Sequence, residues 1–368
     1  MSPVAGLFEP LGFARGASMK NRFMLAPLTN CQSHDDGTLS DDELRWLTRR
    51  AEGGFGLTMT CASHVQARGQ GFAGQLGVFD DRHVAGLTRL AAAIGAQGSL
   101  AMMQLHHAGM RAPAALIGET PVCPSDNAET GARAMTPDEI AQLAADFVAA
   151  ALRAERAGFD GVELHGAHGY VLSQFLSAEI NRRGDRYGGT LENRARLLFE
   201  VVAAVRARCR PDFLLGVRLS PERFGLKLGE IRDVARQLLA GGAIDLLDLS
   251  LWDVFKEPEE PDFKGRSLLS YFTELARGAV RIGAAGKILS GADAQKVLDA
   301  GADFAIIGRG AILHHDLPRR VQADPAFCAV SPPVTADYLR SEGLGPAFIG
   351  YMGNWKGFVA QSSEQARQ

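Results

Sequence analysis

Short apolar runs alternate with longer amphipathic stretches along this chain from about residue 22 onward. The runs have the length of β-strands, and several are nearly all apolar, as strands buried on both faces should be. This alternation is typical of parallel strands joined by crossover helices, and eight such units fit a closed (β/α)8 barrel, the TIM barrel, better than an open sheet. The predicted strands are 22–26, 55–60, 100–105, 161–165, 213–219, 244–249, 287–290 and 304–307.

Amphipathic stretches fill the intervals between these strands, and their ends carry helix signals. The clearest start is Thr136 before Pro137, with Glu139 in the capping-box position. Gly158 and Gly301 follow two of the stretches and supply C-terminal stops. The predicted helices include 41–52, 83–96, 137–157, 191–207 and 292–300.

Composition limits the class of protein and its partners. The 368 residues are 46% hydrophobic and 22% charged, which is the balance of a globular protein with a large core. We expect a single barrel domain over 1–368, in which 317–368 is a C-terminal extension. A net charge of -3 provides no basic face for nucleic acid and no polybasic segment for a membrane surface, so the expected partners are small molecules. The sequence suggests no secretory signal, no membrane span and no disulfide framework, and the expected location is cytoplasmic.

Two long connections interrupt the alternation, at 106–135 after the third predicted strand and at 250–270 after the sixth. Both leave the carboxyl ends of their strands, where barrel active sites lie. We therefore expect lids or substrate walls there, with plain surface insertions as the alternative. The aromatic segment 351–355 is expected to dock on the barrel or on a second subunit.

The segment from Gly69 to Gly74 satisfies G-x-G-x-x-G, the pattern of a dinucleotide-binding turn. Such a turn joins a strand directly to a helix, whereas this segment is separated from both its neighbouring elements. We interpret it as a flexible loop.

Two histidines and a tyrosine, His165, His168 and Tyr170, directly follow the fourth predicted strand. Neutral imidazoles or a phenol in this position donate hydrogen bonds to a substrate oxygen on which negative charge develops. The alternatives are a metal site, for which the sequence offers no third ligand nearby, and histidines with a structural role.

Glycine-bearing loops follow the last two predicted strands, at Ser290-Gly291 and at Gly308-Arg309. Exposed amide groups and a helix dipole in this part of a barrel favour an anion, and Arg309 adds a fixed charge. The pattern predicts a phosphate-bearing ligand, with ordinary turn chemistry as the alternative.

Polar residues occur at three further strand positions: Thr29 follows the first strand, Gln104 lies in the third and Arg218 in the fifth. Burying arginine and glutamine among apolar neighbours is costly without a partner, which favours a polar ligand along the barrel axis. A buried ion pair is the alternative.

Taken together, these motifs resemble those of the old yellow enzyme family of flavin oxidoreductases. They occur in the family's order, on the expected strands, between about residues 10 and 318. The segments that carry the resemblance are 26–29, 104–109, 165–170, 181–189 with 192–194, and 308–309.

The resemblance implies that the barrel binds FMN without a covalent bond. Its phosphate would lie on Ser290, Gly291, Gly308 and Arg309. Gln104 and Arg218 would hydrogen-bond the pyrimidine side of the ring, and Thr29 would lie near N5 with Pro27 and Ala62 against the ring.

By the same resemblance, His165 and His168 hold a substrate carbonyl, and Tyr170 protonates the α-carbon. NADH or NADPH would act as reductant in the substrate's own site, and a homodimer or homotetramer is expected. The chain departs from the family pattern at Cys61 and Met110, and the roles of these residues, of Cys31 and of Arg111 stay open.

The expected activity is reduction of the activated C=C bond of an α,β-unsaturated carbonyl compound. The alternatives are demethylation or dehydrogenation of another small substrate on the same FMN barrel, a flavin-binding redox sensor without turnover, and a metal-dependent, aldolase-like barrel. The last would need carboxylate ligands at strand ends.

Overall fold

Eight parallel strands close into a barrel in the computed structural model, which describes residues 3–16 and 18–360. Each strand pairs with the next along the chain, and the eighth pairs with the first. The predicted (β/α)8 fold is therefore confirmed. The barrel strands are β1 (Phe23–Leu25), β2 (Leu57–His64), β3 (Leu100–His106), β4 (Gly161–Gly166), β5 (Leu214–Leu219), β6 (Leu246–Ser250), β7 (Arg281–Ala285) and β8 (Phe304–Ile307).

Helices surround the barrel, and the sequence locates the predicted ones to within one or two residues. Thr136 makes the expected capping box with Glu139. Gly158 and Gly301 adopt the left-handed conformation that ends a helix. The helices that follow the barrel strands, together with those of the C-terminal segment, are Asp41–Glu52, Val84–Gly95, Pro137–Arg156, Leu191–Arg208, Leu228–Ala240, Gly291–Asp299, Arg309–Leu313, Leu317–Ala323, Ala336–Ser341 and Pro346–Gly353.

A short hairpin, Leu11–Gly12 with Ser18–Met19, closes the amino-terminal end of the barrel. Its apolar residues Leu11 and Met19 join the interior cluster formed by the first residues of several strands, including Leu57 and Leu214. The other end of the barrel is thereby left as the open face on which a ligand site can form. Seven short helices or helical turns and a second small sheet lie in the connections: Ala67–Gly69, Asp81–His83, Gly109–Arg111, Ala114–Ile117, Val171–Leu176, Pro261–Phe263, Ser270–Thr273, and Val122–Cys123 with Arg133–Ala134.

The predicted seventh strand, 287–290, is wrong, because β7 lies at Arg281–Ala285. Gly283 breaks the apolar run there and hides the strand from pattern analysis. The glycine is required by packing, since a Cβ at this position would lie 2.1 Å from Cε2 of Phe304. The apolar residues after Lys287 belong to the loop that leaves β7, and Lys287 itself has a φ of 53°.

The C-terminal segment docks on the barrel of its own chain. Phe348 packs edge-on against Trp46, with ring centroids 4.8 Å apart, and the Tyr338 hydroxyl donates to the Leu313 carbonyl at 2.7 Å. The last eight residues of the predicted extension, 361–368, lie outside the described residues. No helix in the described part of the chain is both long and apolar enough to cross a bilayer.

Candidate active site

A cavity of about 730 Å³ opens at the carboxyl end of the barrel, and a smaller one of about 160 Å³ adjoins it. Their combined size is that of a cofactor and small-substrate site. Ten of the twelve predicted site residues line these cavities: Pro27, Thr29, Ala62, Gln104, His165, His168, Tyr170, Arg218, Gly308 and Arg309. Only Ser290 and Gly291 lie elsewhere.

The two histidines converge because of strand register and a tight turn. His165 is paired with Arg218 across β4 and β5, and His168 follows in the left-handed conformation with a φ of 59°. This turn brings His168 Nδ1 to 3.3 Å from His165 Nε2. Both rings therefore present a nitrogen to one point, as donors for a single substrate oxygen must.

Ser250, at the end of β6, contacts the ring nitrogen of His168 that faces away from His165. Its Oγ lies 2.7 Å from His168 Nε2. When the serine hydroxyl donates to Nε2, the neutral imidazole carries its proton on Nδ1, on the side that faces His165. His165 receives the Ala167 N–H at its Nδ1, at 3.4 Å, which leaves its proton on Nε2. In this arrangement both histidines offer an N–H to an acceptor placed beside the pair, whereas the direct contact between the two nitrogens requires one of them to accept.

The surrounding protein lowers the pKa of both histidines well below the usual value, mainly through burial and further through neighbouring positive groups such as Arg218. The imidazoles are therefore neutral at pH 7 and act as hydrogen-bond donors rather than as cations. Among the described residues, the three-ligand group close enough for a metal is His315, Asp316 and Glu342, outside both cavities.

Tyr170 stands beside the histidines, with its ring edge-on to His165 at 5.1 Å and to His106 at 4.4 Å between centroids. Its hydroxyl makes no hydrogen bond to protein within residues 3–16 and 18–360. Burial raises the pKa of Tyr170 and the nearby Arg111 opposes that rise. The phenol is thus protonated and free to donate into the cavity.

The glycine-rich segment positions His106, which sequence analysis left without a role. The Gly71 N–H donates to Gln75 Oε1 at 2.6 Å, so that the Gln75 amide nitrogen faces His106 Nδ1 at 3.0 Å. His106 is thereby held with its proton on Nε2. The segment has to approach closely, because a Cβ on Gly69 would lie 2.4 Å from the His107 ring. The interpretation as a loop rather than a dinucleotide turn agrees with this geometry.

A buried polar network crosses the barrel below the cavity. Gln104 Nε2 donates to Glu163 at 2.7 Å, and Arg218 Nε lies 3.1 Å from Asp248. Burial raises the pKa of both carboxyl groups, while Arg218 opposes the rise at Asp248. Asp248 is therefore the ionised member of the pair, and Glu163 holds the proton. The predicted alternative of a buried ion pair at Arg218 is present together with the ligand cavity.

Arg218 and Arg309 give the site a geometry suited to an anionic cofactor. Arg218 lines both cavities, and Asp248 holds its Nε from below at 3.1 Å. Arg309 lines the larger cavity and forms no ion pair with any described residue. Gly308, next to it, has open space where a Cβ would be, with Leu28 at 3.8 Å as the nearest contact. The residues present therefore fit a flavin with a terminal phosphate.

Ser290 and Gly291 line neither of the two cavities. Ser290 caps the helix Gly291–Asp299 by accepting from the Asp293 N–H at 3.0 Å, and a Cβ on Gly291 would lie 2.4 Å from Val321. The cavity is bordered instead by 286–289, the loop that directly follows β7. The predicted pair lies about four residues beyond the start of this loop, because the seventh strand was predicted too far along the chain.

Other residues of the cavity mouth were missed or left open by sequence analysis. Trp252, in the predicted long loop after β6, is 52% exposed and has a φ of 63°, while Tyr351 and Trp355 come from the C-terminal segment. Both long connections thus supply walls of the site, since Arg111 comes from the other one. The positive φ of Trp252 carries no sequence signal.

Cys31 and Cys61 lie near a buried carboxyl group. Burial and the neighbouring Glu43 raise the pKa of Cys31 to about 11. Cys61, in the irregular part of β2 between Met59 and Ala62, has its pKa raised by the same causes. Both thiols are therefore protonated at neutral pH.

A (β/α)8 barrel with paired neutral imidazoles, a free phenol and an arginine cradle has the architecture of a flavin-dependent oxidoreductase. The chain matches the NADH:flavin oxidoreductase / NADH oxidase family over residues 6–326. It is 37% identical over 314 residues to the probable NADH-dependent flavin oxidoreductase YqiG of Bacillus subtilis, covering 82% of this chain and 84% of that protein. The chain therefore belongs to this family, that of the old yellow enzymes, and is an NAD(P)H-dependent flavin oxidoreductase.

Solved structures of the family have the same fold. An old yellow enzyme homologue from Zymomonas mobilis is 28% identical, with a TM-score of 0.79 over 94% of this chain and 99% of that one. Morphinone reductase in complex with tetrahydroNAD is 30% identical, with a TM-score of 0.77 over 94% of this chain and 96% of that one. The chain spans 36%, 49% and 32% of the length of three further relatives.

Proposed function

We propose that this enzyme binds FMN non-covalently and reduces the activated C=C bond of an α,β-unsaturated carbonyl compound with NADH or NADPH. The observation that carries the proposal is the convergence of His165, His168 and Tyr170 in one cavity. Two neutral donors and a free phenol match the two needs of the reaction, which are polarisation of a carbonyl and delivery of a proton.

The residues that would hold FMN are divided between two ends of the cavity. Gly308, Arg309 and the loop 286–289 would hold the phosphate, and this loop replaces the predicted pair Ser290 and Gly291. Arg218 and Gln104 would hydrogen-bond the pyrimidine side of the ring. When bound, FMN supplies hydride transfer between the nicotinamide and the alkene.

Pro27, Thr29 and Ala62 would complete the ring site. All three line the smaller cavity, on the side of β1 and β2. Pro27 and Ala62 offer apolar contact to a planar ring, and Thr29 adds a hydroxyl at its edge.

His165 and His168 would bind the substrate carbonyl oxygen through their facing nitrogens, 3.3 Å apart. Both N–H groups withdraw electron density from the enone, so the β-carbon becomes electrophilic. Tyr170 would deliver its hydroxyl proton to the α-carbon and recover it from solvent. Overall, the alkene gains a hydride and a proton while NAD(P)H is oxidised to NAD(P)+.

The test is an absorbance spectrum of the purified protein, followed anaerobically by NADH or NADPH and then by 2-cyclohexenone. A flavin spectrum that bleaches with the nicotinamide and returns with the enone supports the proposal. A bleach without return argues for demethylation, dehydrogenation or redox sensing on the same barrel. A colourless protein that FMN cannot reconstitute contradicts the cofactor assignment.

We further propose that the barrel and the C-terminal segment act as one domain, since Phe348 and Tyr338 anchor the segment and Tyr351 lines the cavity. A cytoplasmic homodimer or homotetramer stays the expected state. Light scattering on the purified protein measures the oligomer directly.

A further inference from the structure

Arg111 is a charged residue of the cavity mouth to which the proposed chemistry gives no role. It ends the short helical turn Gly109–Arg111, directly after the β3 strand, and it lines the larger cavity beside His168 and Tyr170. Its guanidinium carbon lies 4.7 Å from the centroid of the Tyr170 ring, on which it stacks. A fixed positive charge is therefore placed next to the expected proton donor.

The other basic residues of the cavity are neutralised by carboxylates of the protein. Arg218 lies 3.1 Å from Asp248, Arg223 2.6 Å from Glu259, and Lys287 2.8 Å from Asp253. Lys256 contacts both Glu222 and Glu259. Arg309 is left for the phosphate of the cofactor. Each of these charges is thus already balanced or assigned.

Arg111 differs from them because no carboxylate within residues 3–16 and 18–360 pairs with it. One of its nitrogens, Nη1, donates to the His168 carbonyl at 2.5 Å. That bond fixes the orientation of the guanidinium and leaves Nε and Nη2 without a protein acceptor among the described residues. Two donors of a planar fork are the geometry that binds a carboxylate through both oxygens.

We propose that Arg111 is a specificity-determining residue that selects unsaturated carbonyl substrates bearing a carboxylate. The inference rests on the proposed ene-reductase function and adds the substrate class. The carbonyl would bind at His165 and His168, and the carboxylate would pair with the guanidinium at the cavity mouth. The reaction is unchanged: the alkene gains a hydride and the Tyr170 proton, and NAD(P)H becomes NAD(P)+.

The experiment compares two substrates with one carbon skeleton, 4-oxo-2-pentenoate and its methyl ester, in the FMN holoenzyme. The rate of reoxidation of the reduced enzyme is measured for each, in the wild type and in Arg111→Gln. The substitution keeps a polar side chain but removes the charge. We expect the acid-to-ester ratio of kcat/KM to fall about 10- to 100-fold in the variant, the range typical of a charge-assisted pair.

A second experiment measures the binding of ligands that the enzyme does not turn over. The dissociation constants of 4-hydroxybenzoate and of its methyl ester are determined from the change in flavin absorbance. We expect Arg111→Gln to weaken binding of the carboxylate selectively, and added salt to weaken it in the wild type. Met110→Ala is the control, because it alters the same turn and keeps the guanidinium, so its acid-to-ester ratio should match the wild type.

The phosphates of NADH or NADPH are the other anionic groups that could bind Arg111. The rate of flavin reduction by the nicotinamide distinguishes this alternative from binding of a substrate carboxylate. If Arg111→Gln slows reduction by NADH or NADPH but leaves the acid-to-ester ratio within about twofold of the wild type, the proposal is overturned. If the wild type reduces neither ester nor 2-cyclohexenone, the ene-reductase function itself fails. If the ester is reduced but the acid-to-ester ratio of kcat/KM is the same in Arg111→Gln as in the wild type, only the proposed role of Arg111 is wrong.

Discussion

Replacing Ser250 with alanine tests whether its hydrogen bond sets the proton position on His168. The Ser250 hydroxyl lies 2.7 Å from His168 Nε2, and the serine is 7% exposed at the wall of the larger cavity. A hydrogen bond between neutral groups contributes about 1 kcal/mol, and a nitrogen left unpaired raises the cost to about 1–2 kcal/mol. We therefore expect Ser250→Ala to weaken binding of a phenol or enone about 5- to 30-fold.

The assay is a titration of the FMN holoenzyme with 4-hydroxybenzaldehyde, followed by flavin absorbance. The ratio of flavin to protein should stay that of the wild type, because Ser250 caps a histidine and the phosphate cradle lies elsewhere. Ser250→Thr keeps the hydroxyl and should recover most of the affinity. A dissociation constant within about twofold of the wild type in Ser250→Ala would refute control of the His168 tautomer by this residue.

Three further substitutions test the proton donor, the phosphate cradle and the barrel packing. Tyr170→Phe should leave flavin reduction by the nicotinamide intact and slow reoxidation by an enone about 10²- to 10⁴-fold, and unchanged stopped-flow reoxidation would remove Tyr170 as the donor. Arg309→Gln should weaken FMN binding but not binding of riboflavin, which has no phosphate; equal losses for both ligands in fluorescence titrations would contradict the cradle. Gly283→Ala should lower the free energy of unfolding by about 1–3 kcal/mol, because the added Cβ meets the Phe304 ring at 2.1 Å. Gly350→Ala, at an exposed helix position with no atom within 4 Å of the added Cβ, is its control, and equal melting temperatures for the two variants would argue against the clash.

The fold could be predicted from the sequence where local signals, such as helix caps and apolar periodicity, agree with tertiary packing. The helix Asp41–Glu52 has the predicted bounds because Ser40 caps its start and acidic residues fill its first turn. The Thr136 capping box succeeds for the same reason. The prediction of strand β7 was wrong because its Gly283 is required by contact with the Phe304 ring on the neighbouring strand. No local sequence pattern reveals that contact.

The sequence predicted the candidate site about as well as it predicted the fold. Most of its predicted residues lie directly at strand ends, and barrel closure brings such positions together whatever their separation in sequence. Ser250 also lies at a strand end, yet a serine there is common and only its distance to His168 reveals its role. Trp252 and Tyr351 reach the cavity through loop conformation and docking of the C-terminal segment, which depend on contacts far apart in the chain.

The buried network explains how polar strand residues are tolerated in this barrel. Strand register places Gln104 beside Glu163, and Arg218 beside Asp248. If both carboxyl groups were ionised, a single arginine would leave one buried negative charge, so burial and mutual repulsion keep a proton on Glu163. The neutral Glu163 accepts from Gln104, and Asp248 balances Arg218. The layer beneath the cavity thus carries no net charge, and Arg218 and Gln104 are held rigidly toward the ligand at little electrostatic cost.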